Sequence, residues 1–122
     1  MDALAQIDGW PAGDAAAGVI DRNGVVGRQG EKERSFDWAS VTKLVTSLAV
    51  LVAAEEGSID LDEAAGPPGA TVRHLFAHAS GLPFEAGKAL VQPGRRRIYS
   101  NAGFETLADH VALRVEMPFA DY

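Results

Sequence analysis

The chain has 122 residues, 47% of them hydrophobic, with no cysteine and a formal net charge of −6 at pH 7. That length suits one domain burying roughly two thirds of its unfolded surface, and the acidic balance argues against a nucleic-acid partner, which wants a basic face. The cysteine count excludes disulfides, thiolate metal ligands and a cysteine nucleophile, and does not determine the compartment.

Residues 1–16 are rich in Ala, Gly and Asp around Trp10-Pro11, with a weak helical signal over Asp2 to Ile7. They lack the basic start and apolar run of a signal peptide, so a cytoplasmic location is expected if Met1 is the native start. Ala17 to Gly30 reads as a hairpin: Val19-Ile20 and Val25-Val26 flank Asp21-Arg22-Asn23-Gly24, and Asn-Gly favours a type I′ turn. Glu31 to Ser35 is a polar connector to Phe36 and Trp38. A helix is expected from about Ser40, with Gly57 as the residue just past its end. It is too short for a bilayer, which needs about 20 apolar residues, so no membrane partner is expected.

Ile59 to Glu63 and the Gly66-Pro67-Pro68-Gly69 turn read as a solvated loop, because the acids lack the spacing of a calcium loop. Thr71 to Ala79 is expected as a short helix capped by Thr71. Residues 81–97 are irregular, punctuated by Pro83, Gly87, Pro93 and Gly94. The basic run Arg95-Arg96-Arg97 fits a solvated loop better than a substrate clamp. Phe104, Leu107, Ala108, Val111 and Val115 then share one helical face, ending before Pro118.

Lys43 is the sole charge between Ala39 and Ala54, in a segment otherwise made of Ala, Val, Leu, Ser and Thr. A helix apolar on every side should be buried, and a buried ammonium is costly unless it is paired or neutralised. Ser40 lies three residues earlier, on the same helical face and at the positive end of the helix. A hydroxyl beside such an amine is a plausible activated nucleophile. The plainer reading makes Ser40 an N-cap and Lys43 a residue whose stem snorkels to water.

His74 and His78 have the four-residue spacing of a helical zinc pair, but Leu75 stands where the zinc-protease motif needs Glu, and no third ligand is evident. A metal role is therefore disfavoured for the pair. Tyr99 alone would read as a half-buried aromatic, yet near a cation a phenol ionises more readily and can pass protons. Asn101 offers an amide donor and acceptor.

Taken together, Phe36-x-x-Ala39-Ser40-Val41-Thr42-Lys43, then His74-Leu75-Phe76-Ala77-His78-Ala79-Ser80-Gly81-Leu82-Pro83, then Pro93-Gly94 with Tyr99-Ser100-Asn101, then Ala102 to Ala108 form an ordered set. This order resembles the serine beta-lactamase-like hydrolases: class C beta-lactamases, D-alanyl-D-alanine carboxypeptidases and family VIII esterases. The resemblance covers roughly residues 17–122 and implies an α+β, beta-lactamase/transpeptidase-like fold, an antiparallel sheet flanked by helices with a helical subdomain. It also implies Ser40 as the acylated nucleophile, Lys43 with Tyr99 as the base system, Asn101 as the residue positioning Lys43 and the substrate, and neither metal nor organic cofactor. The expected substrate is a small ester, amide or beta-lactam, with Thr42, Ser100 and the absent leader leaning towards esters.

The family's third motif, Lys or His followed by Ser or Thr and then Gly, does not occur. The expectation is therefore the N-terminal portion of one such domain. Its hairpin edge would be covered by a complementing chain or by self-association, because a lone two-stranded sheet is marginal. A non-catalytic sensor and an inactive structural fragment stand as alternatives.

Overall fold

The structure is a computed structural model that describes residues 3–31 and 33–122. Its chain divides into two compact units, Met1–Asp37 and Trp38–Tyr122.

The first unit is an antiparallel hairpin, β1 (Ala16–Asp21) and β2 (Gly24–Gly30), preceded by a 3-10 turn over Leu4–Gly9. That turn replaces the helix expected over residues 2–7, whose Asp2 start lies outside the described residues. The Asp8 carboxylate accepts from Gln29 Nε2 at 2.8 and 2.9 Å, which ties the 3-10 turn to β2.

The hairpin falls where the paired Val19-Ile20 and Val25-Val26 runs place it, but its turn is not type I′. Type I′ needs positive φ at both central residues, and neither Arg22 nor Asn23 has it; Gly24 does, at φ 125°. The Asp21 carboxylate accepts the Asn23 N–H at 2.7 Å, an Asx turn that selects the ordinary turn geometry. The pairing then slips between Val19 and Ile20, with Val19 opposite Gly27 and Ile20 opposite Val25, so Val26 is the bulged residue.

The second unit holds three helices, α1 (Thr42–Glu55), α2 (Val72–Phe76) and α3 (Asn101–Val115). Their shared core is Val50, Ala53, Ile59, Ala65, Val72, Leu75, Phe104, Leu107 and Val111. The end of α1 follows from Gly57 at φ 77°, with Ser58 N–H donating to Ala53 and Gly57 N–H to Ala54, a Schellman closure. Thr71 caps α2 reciprocally with His74, whose backbone N–H it receives and whose Nδ1 accepts the Thr71 N–H at 3.2 Å. α2 stops three residues short of the expected Ala79, because the chain turns left-handed at His78. Ser100 caps α3, accepting the Gly103 N–H at 2.8 Å. Glu63 pairs with both His110 and Arg114 and pins α3 to the loop after Ile59.

Burial of α1 on all sides is the expectation that fails. Only Val50 and Ala53 are buried, whereas Leu44 is 71% and Leu48 62% exposed, and Val45, Leu51 and Val52 are exposed too. The reason is arithmetic of faces: α3 meets one side of α1 within the unit, and no further layer of the unit covers the other. An exposed apolar row of this kind favours burial against a further segment or a second copy. Purified chain is expected to sediment as oligomers, and Leu44→Glu with Leu48→Glu to restore monomers; a monodisperse parent chain at high concentration would contradict this.

Candidate active site

Ser40 does not sit in the first turn of α1 as its spacing suggests. It lies in a 3-10 turn, Ala39–Val41, that leads into the helix, and it is exposed. Ala39 carries φ 44°, left-handed for a residue with a Cβ, which costs about 1–3 kcal/mol and persists only where its surroundings enforce it. The Val41 N–H donating to the Trp38 carbonyl at 2.8 Å closes this tight turn. The strain therefore sits immediately before the hydroxyl it presents.

Lys43 is half-buried and is the hub. Its Nζ donates to Asn101 Oδ1 at 2.7 Å and lies 3.4 Å from Ser40 Oγ. The same ammonium is 5.0 Å from the Tyr99 ring centroid and 5.8 Å from that of Phe104, within range of cation–π attraction. The paired state anticipated for a lone cation is what the structure has, with a neutral amide oxygen as the partner instead of a carboxylate.

Asn101 is the first residue of α3, and its amide is oriented from both ends. Oδ1 faces Lys43 while Nδ2 points at Glu85 Oε1, 3.5 Å away. Its backbone N–H donates to the Phe84 carbonyl at 2.9 Å. Tyr99, one residue ahead of the Ser100 cap, stacks with Phe84 at 6.0 Å and packs tilted against His78 at 4.6 Å. The Ser40 hydroxyl, and next the Lys43 ammonium, hold the Tyr99 phenol below the ordinary tyrosine value, with burial a smaller opposing influence.

All four residues singled out in the sequence are thus brought together. An open cleft of about 550 Å³ is lined by three of them, Ser40, Lys43 and Asn101, together with Phe104, Glu105 and Phe119 among others. Sequence reading missed Glu85, which meets the Asn101 amide, because its only signal was a place in an irregular loop. His74 and His78 do not converge: one imidazole serves the Thr71 cap and the other faces the Ser100 N–H. Among the described residues no cluster of His, Asp or Glu could hold a metal ion, and no helix is long and apolar enough to cross a membrane.

A strained serine turn, an amine and an oriented amide in one cleft, with a phenol ring 5.0 Å from the amine, are the equipment of covalent serine chemistry. The beta-lactamase family profile matches residues 4–122, and the chain belongs to that family. Among solved structures it is similar to a beta-lactamase from Mycobacterium bovis, with 49% identity and a TM-score of 0.84 over 98% of this chain. The match covers 44% of the bovis protein, so the chain spans under half the length of that relative. No curated protein matches it significantly.

Proposed function

We propose that this chain carries the nucleophile and base of a serine hydrolase that works through an acyl-enzyme on an ester or amide. The observation that supports it best is the convergence of Ser40, Asn101 and Tyr99 on the Lys43 ammonium. Ser40 Oγ attacks the substrate carbonyl and its proton passes to the Lys43–Tyr99 pair, which later returns it to the leaving group. The phenol, held below its ordinary value by the Ser40 hydroxyl and then by Lys43, is the readier of the site's groups to pass a proton beside the amine. Asn101 holds Lys43 in line and presents its amide to the substrate.

The backbone N–H of Ser40 supplies one oxyanion donor. In the resembled enzymes a second comes from the strand bearing the Lys/His–Ser/Thr–Gly motif, which these 122 residues do not contain. A missing donor is worth about 10²–10³ in kcat. Residues 1–122 on this reading form the N-terminal part of a beta-lactamase-like domain, and their own turnover should lie near background.

The test is intact-mass spectrometry of the chain after exposure to a penicillin or an activated nitrophenyl ester. The expected result is a slow adduct on the Ser40 peptide, of whole-ligand mass for the beta-lactam and acyl mass for the ester. A stable adduct in a full-length relative would favour a sensor over an enzyme. No adduct with any acyl donor would leave an inert structural fragment.

A further inference from the structure

His78 is a buried histidine to which the acyl-transfer chemistry assigns no task. It is 7% exposed and ends α2 at φ 58°, a conformation histidine enters more readily than most side chains. This turn places one residue against both ends of a three-residue stretch. The His78 carbonyl accepts the Ile98 N–H at 2.8 Å, and its Nδ1 accepts the Ser100 N–H at 3.1 Å. Between those anchors is Tyr99, whose ring packs against the imidazole at 4.6 Å with the planes tilted by 35°, while the Phe104 ring lies 4.9 Å from the same imidazole.

We propose that His78 is a positioning residue for Tyr99, holding the phenol against Ser40 and Lys43 as a neutral imidazole protonated on Nε2. Its consequence for catalysis rests on the Ser40 chemistry proposed above, whereas the positioning itself does not. An Nδ1 that accepts a hydrogen bond carries no proton, so forming the imidazolium would forfeit the Ser100 bond and leave that buried N–H unpaired. The ionisable groups acting on the imidazole are Lys43 on α1 and Arg97 and Tyr99 on the approach to α3, and α3 brings the Phe104 ring against it. Burial, then Arg97 and Lys43, push His78 below the ordinary histidine value of 6.5 and so favour the neutral ring.

The experiment uses a Tyr122→Phe background, in which Tyr99 is the sole tyrosine, and follows phenolate absorbance with pH beside fluorophosphonate labelling of Ser40. His78→Phe keeps a ring but no acceptor; His78→Asn keeps an acceptor near Nδ1 and tolerates left-handed φ. In His78→Phe the Tyr99 midpoint should rise towards about 10, the exposed value, and labelling should slow by about tenfold. His78→Asn should return much of the shift.

An unchanged Tyr99 midpoint in both folded variants would overturn the positioning role, whatever the labelling does. A shifted midpoint with no labelling of Ser40 in any protein would keep the positioning and remove the acyl chemistry. Should His78→Phe not fold, ¹⁵N NMR of the parent imidazole decides: an Nε2–H tautomer whose Nδ1 accepts from Ser100 supports the role, and an Nδ1–H tautomer refutes it.

Discussion

Ser40→Ala is expected to abolish both fluorophosphonate labelling and ester turnover in a full-length enzyme carrying these residues, a loss of about 10⁴-fold or more. The structure narrows the competitors. Ser100 is buried, with its hydroxyl donating to the Pro83 carbonyl and accepting the Gly103 N–H. Ser80 is buried as well and accepts from the Leu82 N–H. Ser40 is the exposed hydroxyl 3.4 Å from the Lys43 ammonium. Peptide mapping should find the label there; a label on Ser35, Ser47, Ser58, Ser80 or Ser100, with Ser40→Ala still active, would reject the assignment.

Lys43→Arg is expected to be nearly as damaging as Lys43→Ala, each costing about 10²–10⁴ in acylation rate, the usual worth of a positioned base. Arginine would keep the positive charge for Asn101 and for the Tyr99 and Phe104 rings, yet it stays protonated at any working pH. The comparison therefore separates proton acceptance from fixed charge. In the parent enzyme acylation should rise with pH as the Lys43–Tyr99 pair gives up its proton, and because the phenol is held below its ordinary value of 10, that rise should begin below pH 10. Labelling rate against pH for the three proteins is the measurement. A K43R enzyme with parental rate would reduce Lys43 to a fixed charge and leave Tyr99 as the base.

A related expectation concerns stability. His78 has its folded-state value depressed, so the unfolded chain binds the proton more readily. Its contribution is fully present above about pH 6.5 and is lost as pH falls from there through the folded value.

By itself the sequence determined what depends on neighbours along the chain. The hairpin follows from paired Val and Ile runs about a turn sequence, the end of α1 from Gly57 and the start of α2 from Thr71, because caps and turns are satisfied within a few residues. The Ser40–Lys43 relation survives for the same reason, even though the turn holding Ser40 is 3-10 and not α-helical. Tertiary structure decided the rest. Asn101 meets Lys43 across 58 positions, and Glu85 meets the far end of that amide; no periodicity encodes such a meeting, since it is set by how α3 packs on α1 through Val50, Leu107 and Val111. Left-handed Ala39 and His78 are equally invisible to propensity, because their cost is offset only by contacts the fold makes elsewhere. The apolar face of α1 shows the limit most plainly: hydrophobicity states that a surface prefers burial, and only the packed structure shows which part of it finds a partner.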